Sequence, residues 1–295
     1  NLRPDVVIAL VDRYENFAVA GAAALMNIPV AHVQGGEVTG TIDESLRHAM
    51  TKLAHFHFPA NEDARQRIIK MGEPADSVWD VGCPGTDLLL QAPVWSREET
   101  IQAINLVAKD PSRHRDPSQP YLLVVQHPVT TEYGSGSEQI RATLRAVTDA
   151  GLQIIMLWPN IDAGSDDVSR EIRHLETLRR DVPLTVYKHF SSEYFANLIR
   201  NASCMIGNSS SGIREACYFG TPVVNIGTRQ TGRVRGTGVT DVGYDPATIL
   251  AAIQAQISHG PYDVEQLYGD GHAGEKTAAI LATVPLGDVQ KRITY

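Results

Sequence analysis

The alternation of short apolar runs with amphipathic stretches is the feature of this 295-residue chain that most limits its fold. Six runs have the length and continuous hydrophobicity of buried parallel strands. They span residues 5–11, 29–33, 121–125, 153–158, 203–206 and 222–226. The stretches with helical period span residues 16–26, 43–55, 62–71, 137–150, 165–179 and 193–200. This order predicts an α/β fold with doubly wound parallel sheets.

A segment rich in Asp, Pro, Arg and Ser, residues 107–120, separates two alternating blocks and predicts an interdomain linker. We therefore expect one Rossmann-like lobe at 1–107 and a second at 118–270. Arg3-Pro4-Asp5 leads directly into a strong strand, without a preceding strand and glycine-rich turn. The amino-terminal lobe is accordingly expected to be incomplete in this sequence.

The charge balance argues against a surface that coats nucleic acid. The formal net charge is -8 and the isoelectric point is near 5.7, whereas phosphate neutralisation requires a basic face. No apolar run approaches the length of a membrane span, and no charged-then-apolar leader opens the chain. Cys83, Cys204 and Cys217 are widely spaced, which favours reduced core thiols. We expect a soluble cytoplasmic protein without nucleic-acid or membrane partners.

Two loops that follow predicted strands contain side chains suited to phosphate. Residues 207–215 (GNSSSGIRE) lead into a helix, whose N–H groups and positive dipole end favour anions. The same residue types also cap helices, so a plain helix start explains this segment equally well. Residues 227–236 carry three arginines, which suit phosphate oxygens, although such clusters also occur on solvated surfaces. Together the two loops predict a diphosphate site at one sheet edge.

His127 stands directly after another predicted strand and therefore belongs to the same sheet edge. A histidine there is suited to donating a proton to a departing phosphate or to standing beside it as a cation. The alternative is a structural histidine.

The amino-terminal block gathers acids and bases after its two predicted strands. They are Asp12-Arg13, Gln34-Gly35-Gly36-Glu37, Asp43-Glu44 and Arg47-His48. A sugar substrate needs acceptors for its hydroxyls and a base for its carbon-bound hydrogen, which are tasks for carboxylates. Asp43 and Arg47 share a helical face, but this spacing is also that of an ordinary surface ion pair.

A metal interpretation of His48, His55 and His57 finds no support in their spacing. His55 and His57 differ in face, and no H-E-x-x-H pattern is present. We therefore expect neither a metal nor a cofactor.

Taken together, these segments resemble the hydrolysing UDP-N-acetylglucosamine 2-epimerases that begin sialic acid synthesis. The resemblance extends over nearly the whole chain and rests on long, specific stretches. They are HVQGGEVTGTIDESLRHAMTKLAHFHF from His32, QHPVTT from Gln126, WPNIDAGS from Trp158, GNSSSGIREACYFGTPVVNIGTRQTGR from Gly207 and YGDGHAGEK from Tyr268.

The resemblance implies a fold similar to the GT-B glycosyltransferases, with two Rossmann-like lobes, the nucleotide sugar in the cleft, and a terminal helix at 271–295 returning to the first lobe. The residues expected to bind UDP are Arg13, His127, Asn160, Ser209, Ser210, Gly212, Glu215 and Arg229. The residues expected around the sugar and the reacting atoms are Asp12, Gln34, Asp43, Glu44 and Arg47, with His127 serving both sets. Within these sets, Glu215 suits the ribose hydroxyls and Asp12 is the expected base.

The reaction that the resemblance implies is elimination of UDP to a glycal, followed by addition of water to give free N-acetylmannosamine. The expected partners are therefore the UDP-sugar, the product UDP and further copies of the chain in a dimer or tetramer. One departure concerns Gln34, where animal relatives have a glutamate, because an amide cannot accept a proton as a base does. The substitution leaves a second sugar open, the 2,4-diacetamido-2,4,6-trideoxy type.

Two further alternatives stay open at this point. A GT-B glycosyltransferase would share the fold and the UDP site, but the Gln34–Glu37 segment argues against it, and Gly35-Gly36-Glu37 favours a hydrolysing over a non-hydrolysing epimerase. A nucleotide-sugar binding module without catalysis would bind a UDP-sugar without releasing UDP.

Overall fold

The computed structural model describes residues 3–108, 110–287 and 289–292. The strands, in chain order, are β1 (Val7–Leu10), β2 (Val30–Val33), β3 (Phe56–Phe58), β4 (Tyr121–Val125), β5 (Gln153–Leu157), β6 (Leu184–Tyr187), β7 (Cys204–Gly207), β8 (Val223–Ile226) and β9 (Val239–Val242). The α-helices are α1 (Tyr14–Leu25), α2 (Asp43–Leu53), α3 (Glu62–Lys70), α4 (Pro84–Leu90), α5 (Arg97–Val107), α6 (Gly136–Asp149), α7 (Ser165–Leu178), α8 (Ser192–Asn201), α9 (Ser210–Arg214), α10 (Pro246–His259) and α11 (Ala273–Thr283).

The chain divides into two compact units. Unit 1 comprises Asn1–Asp87 and Tyr268–Tyr295, and unit 2 comprises Leu88–Leu267. Unit 1 contains a parallel sheet with the order β1-β2-β3. Unit 2 contains a parallel sheet with the order β6-β5-β4-β7-β8-β9. Numbered from β4, this is the 3-2-1-4-5-6 order of dinucleotide-binding Rossmann folds.

Burial on both faces explains why the strands of unit 2 read as continuous apolar runs. Successive residues of a strand point to opposite faces, and β4 supplies both cores. Leu122 and Val124 belong to one hydrophobic cluster, and Tyr121, Leu123 and Val125 belong to the other. The α/β class with Rossmann-like units is confirmed, and all six predicted strands and six predicted helices are present, with ends shifted by two residues at most.

The division between the units does not fall at the predicted linker. It falls within α4, and the segment 107–120 lies inside unit 2. The reason is packing, because Ile101 and Ile104 of α5 join the cluster around Tyr121. The loop that follows α5 is also fixed, since Asn105 Oδ1 accepts from the Arg115 backbone N–H at 2.9 Å and Asn105 Nδ2 donates to the Arg115 carbonyl at 2.8 Å.

The carboxyl-terminal segment from Tyr268 onward packs within unit 1, which contains α11. Ala273 joins the cluster formed by Ala31, Val33 and Phe58. The start of α11 is held by the Asp87 carboxylate, which accepts hydrogen bonds from the backbone N–H groups of Ala273 (3.1 Å) and Gly274 (2.8 Å).

The three cysteines are buried and free, as predicted. Burial raises the pKa of the Cys204 and Cys217 thiols to about 12. Within the described residues, no helix is long and apolar enough to cross a bilayer.

Candidate active site

The strand order of unit 2 reverses between β4 and β7, and ligands of such sheets bind beyond the carboxyl ends of the strands at this point. Val125 and Gly207 are register partners there. Gly207 has φ 125°, and a Cβ on it would lie 2.2 Å from the Val125 carbonyl oxygen, so only glycine fits this approach. The loops that begin at Gln126 and Asn208 are therefore held side by side.

Asn208 holds the loop after β4 in place. The side chain is fully buried, its Oδ1 accepts from the His127 backbone N–H at 2.7 Å, and its Nδ2 donates to the His127 carbonyl at 2.8 Å. An amide is the side chain that can satisfy both backbone groups of one residue. Asn208 was not among the predicted site residues. Its position directly after a strand, at the predicted site edge, is the sequence feature that could have indicated it.

His127 is held as a neutral hydrogen-bond donor. Its Nδ1 accepts from the Asn160 backbone N–H at 3.1 Å, which leaves the proton of the neutral ring on Nε2. Burial, together with the positive charge of Arg229, lowers the pKa of His127 to about 3. This geometry favours the donor role of His127 over the cationic one, and its role toward a phosphate stays a prediction.

Arg229, in the 227–236 loop, contacts the loop after β7. Its Nη1 donates to the Asn208 carbonyl at 3.3 Å, and Gln230 Nε2 donates to the same oxygen at 2.9 Å. Asp162 Oδ2 lies 3.9 Å from Arg229 Nη2, and its carboxylate also accepts from Asn160 Nδ2. Arg235, by contrast, forms an ion pair with Asp241. Arg229 is thus joined to Asn208, and Asp162, which was not predicted from the sequence, lies beside its guanidinium.

The serines after β7 begin the short helix α9. Ser209 Oγ accepts from the Ser211 backbone N–H at 3.3 Å, and Ser210 Oγ accepts from Arg214 Nη2 at 3.0 Å. Gly212 lies against the sheet, where a Cβ would come within 3.1 Å of Val223. The segment therefore caps and starts a helix, as one of its two interpretations predicted. Contacts of Ser209, Ser210 and Gly212 with a ligand stay predictions.

Several buried side-chain oxygens near these loops have no hydrogen-bond partner in the part of the chain that the structure describes. They are Gln126 Oε1, Asn160 Oδ1, Glu215 Oε2 and Gln230 Oε1. An unsatisfied buried acceptor costs roughly 1–3 kcal/mol, so such atoms suit a ligand that brings donors. The Glu215 carboxylate, on a residue 8% exposed, fits a ribose diol in this respect.

In unit 1, two site loops begin with residues in the left-handed region. Val11 follows β1 with φ 66°, and Gln34 follows β2 with φ 64°. This conformation is unfavourable for side chains with a Cβ, and for a β-branched valine most of all. Backbone strain of this kind concentrates at functional sites. The ends of β1 and β2 therefore mark the candidate sugar-side site.

Asp12 and Arg47 form an ion pair in this part of unit 1. The Arg47 side chain is 1% exposed, its Nη2 contacts Asp12 Oδ2, and its Nη1 donates to the Glu37 carbonyl at 2.7 Å. A buried guanidinium needs such partners because desolvation of a lone charge is costly. The interpretation of Asp43 and Arg47 as a surface ion pair is therefore wrong.

Asp43 and Glu44 lie in the first turn of α2, where carboxylates are favoured by the helix dipole. Asp43 Oδ2 accepts from Thr41 Oγ1 at 2.8 Å, and Glu44 Oε2 accepts from the Thr39 backbone N–H at 2.8 Å. Both carboxylates thus organise the loop before the helix.

Gln34 is 5% exposed, and its Nε2 lies 2.6 Å from Cys83 Sγ. His32, on β2, was not selected from the sequence; its Nε2 lies 3.3 Å from the Val11 carbonyl, and its Nδ1 lies 3.2 Å from Thr51 Oγ1. Burial, reinforced by His57, lowers the pKa of His32 to about 3. A neutral histidine therefore supports the strained turn at Val11.

Arg13 is more exposed than the other candidates. Its guanidinium forms an ion pair with Glu15 at 3.0 Å and lies 5.7 Å from the centre of the Tyr14 ring. Its assignment to UDP stays a prediction.

Fold and sites together define a GT-B-like α/β protein with two Rossmann-like units. In unit 2 the strand order reverses at the point where sheets of this type bind nucleotides.

Two solved structures are similar to this protein at the level of the fold. The UDP-GlcNAc 2-epimerase from Neisseria meningitidis, bound to UDP-GlcNAc, gives a TM-score of 0.76 at 19% identity, over 95% of this chain and 77% of that one. The Methanocaldococcus jannaschii UDP-GlcNAc 2-epimerase, in complex with UDP-GlcNAc and UDP, gives 0.74 at 17% identity, over 95% and 76%.

Relatives in sequence point the same way. The profile of the UDP-N-acetylglucosamine 2-epimerase family matches residues 1–282. The UDP-N,N'-diacetylbacillosamine 2-epimerase (hydrolyzing) of Legionella pneumophila is 38% identical over 96% of this chain and 72% of its own length. The UDP-N-acetylglucosamine 2-epimerase of Neisseria meningitidis is 32% identical over 94% and 70%. The chain belongs to the UDP-N-acetylglucosamine 2-epimerase family and is an enzyme, a UDP-sugar 2-epimerase.

Proposed function

We propose that the enzyme hydrolyses its UDP-sugar while inverting carbon 2, through a glycal. The observation that carries this proposal is the Gln34-Gly35-Gly36-Glu37 segment after β2, which favours the hydrolysing over the non-hydrolysing type. The name of the Legionella relative, which specifies a hydrolysing enzyme, supports the same reaction.

Two UDP-sugars are candidate substrates of this enzyme. UDP-N-acetylglucosamine, which would yield N-acetylmannosamine, is the sugar expected from the resemblance. UDP-N,N'-diacetylbacillosamine, whose sugar is 2,4-diacetamido-2,4,6-trideoxyglucose, is favoured by the higher identity to the Legionella enzyme, 38% against 32% for the Neisseria one. Gln34, in place of an acid, is also more easily reconciled with this second sugar.

Departure of UDP is assigned to residues of unit 2. Negative charge develops on the diphosphate as the bond to carbon 1 breaks, and Arg229 offers a guanidinium held by Asn208. His127 offers its Nε2 proton as a hydrogen bond rather than as a transferable proton, because the ring is neutral. UDP can leave without protonation, since its terminal phosphate has a second pKa of about 6.

Removal of the hydrogen on carbon 2 is assigned to Asp12. A carboxylate paired with a guanidinium is favoured in its ionised form, which is the form that accepts a proton. The pair of electrons from the broken C–H bond becomes the carbon 1–carbon 2 double bond, while the electrons of the C1–O bond leave with UDP. Water then adds its oxygen to carbon 1 and a hydrogen to the opposite face of carbon 2, giving the free 2-epimer.

The experiment that tests this proposal is incubation of the protein with each UDP-sugar in deuterated water, followed by proton and phosphorus NMR. We expect one free sugar, inverted and deuterated at carbon 2, for each UDP released. A deuterated product still linked to UDP would show the non-hydrolysing reaction. A free product without deuterium would contradict elimination to a glycal. Cytoplasmic location and assembly into a dimer or tetramer stay predictions.

A further inference from the structure

The loop that contains Arg229 is fastened at its start by an aromatic ring. Gly227 has φ 76°, and a Cβ on it would lie 2.0 Å from the hydroxyl oxygen of Tyr244. The ring of Tyr244 therefore packs directly on the backbone that enters the loop, a contact that only glycine permits. The Tyr244 hydroxyl in turn donates to Glu132 Oε2 at 3.3 Å.

Glu132 collects two further donors. Its Oε1 accepts from the hydroxyl of Thr228, the residue that precedes Arg229, and its Oε2 accepts from Gln139 Nε2 at 2.5 Å. All three donors are neutral, and they come from the loop after β8, from the loop after β9 and from α6. Glu132 itself ends the short 3-10 turn Thr130–Glu132, in the loop after β4 that contains His127.

A carboxylate close to a site for a diphosphate is unfavourable on charge grounds alone, because like charges repel. An amide at this position has one acceptor oxygen, whereas the carboxylate has two and satisfies three donors at once. The Glu132 carboxylate therefore has a structural role, because its hydrogen bond with Thr228 links the loop of His127 to the loop of Arg229.

We propose that Glu132 is a positioning residue, which fixes Thr228 and thereby holds the Arg229 guanidinium in place to bind the diphosphate. This inference rests on the proposed function, in which Arg229 binds UDP. Glu132 acts through Arg229 and does not itself contact the nucleotide.

A double-mutant cycle with UDP as the probe, measured by calorimetry, tests this inference. Glu132→Gln and Thr228→Val should each weaken UDP binding by about fivefold, the worth of one hydrogen bond. In an Arg229→Ala background the same changes should alter the dissociation constant by less than about twofold, because coupled residues are not additive. Thr177→Val is the matched control, since that hydroxyl donates to the Arg173 carbonyl on α7 at 2.8 Å. It should leave UDP affinity unchanged.

The outcomes separate this inference from the function on which it rests. If Arg229→Ala weakens UDP binding while Glu132→Gln and Thr228→Val leave it unchanged, the positioning role is overturned and the UDP site stands. Losses that add fully in the double variants would also overturn it, because they would show that Glu132 acts independently of Arg229. If Arg229→Ala binds UDP as tightly as the parent, both the inference and the assigned UDP site fail. Thermal unfolding of each variant, with Thr228→Val as the milder change, identifies any general loss of structure.

Discussion

The imidazole Nδ1 of His127 accepts a hydrogen bond from the backbone N–H of Asn160 across 3.1 Å. A backbone N–H always donates, so this contact can form only when Nδ1 lacks a proton. The bond therefore selects one tautomer and disfavours the imidazolium, in the same direction as burial and the Arg229 charge, which lower the pKa to about 3.

We expect His127 to stay neutral at every pH at which the enzyme is folded. In a proton–nitrogen NMR titration, its ring signals should not shift between pH 8 and 5, with Nδ1 showing the chemical shift of an unprotonated nitrogen. The urea-unfolded chain provides the reference, in which histidine titrates near pH 6.5. A midpoint between pH 6 and 7 in the folded protein would restore the cationic interpretation.

His32 should make the stability of unit 1 depend on pH. Its folded pKa, about 3, lies below the unfolded value, so the unfolded chain binds more protons between these two values. The contribution of His32 to the free energy of unfolding is therefore fully present above about pH 6.5. It decreases as the pH falls toward 3, by up to about 2 kcal/mol at pH 5. In urea unfolding at pH 5, 6 and 7, His32→Gln should flatten this slope. A loss that is the same at all three pH values would show that the ring matters only for packing.

The parts of the fold that were predictable are those whose side chains face a core on both sides. Every residue of β4 is buried, so this strand is a continuous apolar run that can be distinguished from the polar segments before and after it in the chain. Strands β3, β6 and β9 were not predicted from the sequence. β3 has only three residues, while β6 and β9 lie at sheet edges, where polar residues such as Thr185 and Asp241 interrupt the apolar pattern.

The candidate site was predictable only where residue type and strand end sufficed. His127 and Arg229 follow strands and have the chemistry that phosphate needs, so position alone selected them. Asn208 and Arg47 depend on contacts with residues 81 and 35 positions away, which no local spacing reveals. For Arg47 the helical i, i+4 rule even indicated the wrong carboxylate, because a tertiary partner replaced the neighbour on the helix.

Replacing the proposed base should separate turnover from nucleotide binding. Asp12→Asn keeps an oxygen for Arg47 but cannot accept the proton from carbon 2, so kcat should fall by about 10²–10⁴. The dissociation constant for UDP should not change, because the residues assigned to UDP in unit 2 are intact. Glu62→Gln, which removes the exposed ion-pair partner of Arg65 in unit 1, is the matched carboxylate control and should retain full turnover. Circular dichroism has to show that Asp12→Asn is folded, since Arg47 is buried. Undiminished turnover by the folded variant would assign the base to another residue.

Glu215 provides a test of how the nucleotide lies in unit 2. If its Oε2, which has no partner within the described residues, accepts a ribose hydroxyl, then the protein should bind UDP more tightly than 2'-deoxy-UDP or 3'-deoxy-UDP. The preference should be about tenfold for the hydroxyl that is bound, because hydrogen bonds to charged groups are the stronger kind. In Glu215→Gln the preference for UDP should shrink toward a factor of about two, since the charge is lost.

The deoxy nucleotides also provide the control, because they differ from UDP only in the ribose. A general weakening of the site would lower all three affinities together and leave their ratios as in the parent protein. Ratios that are unchanged by the substitution would place the ribose away from Glu215.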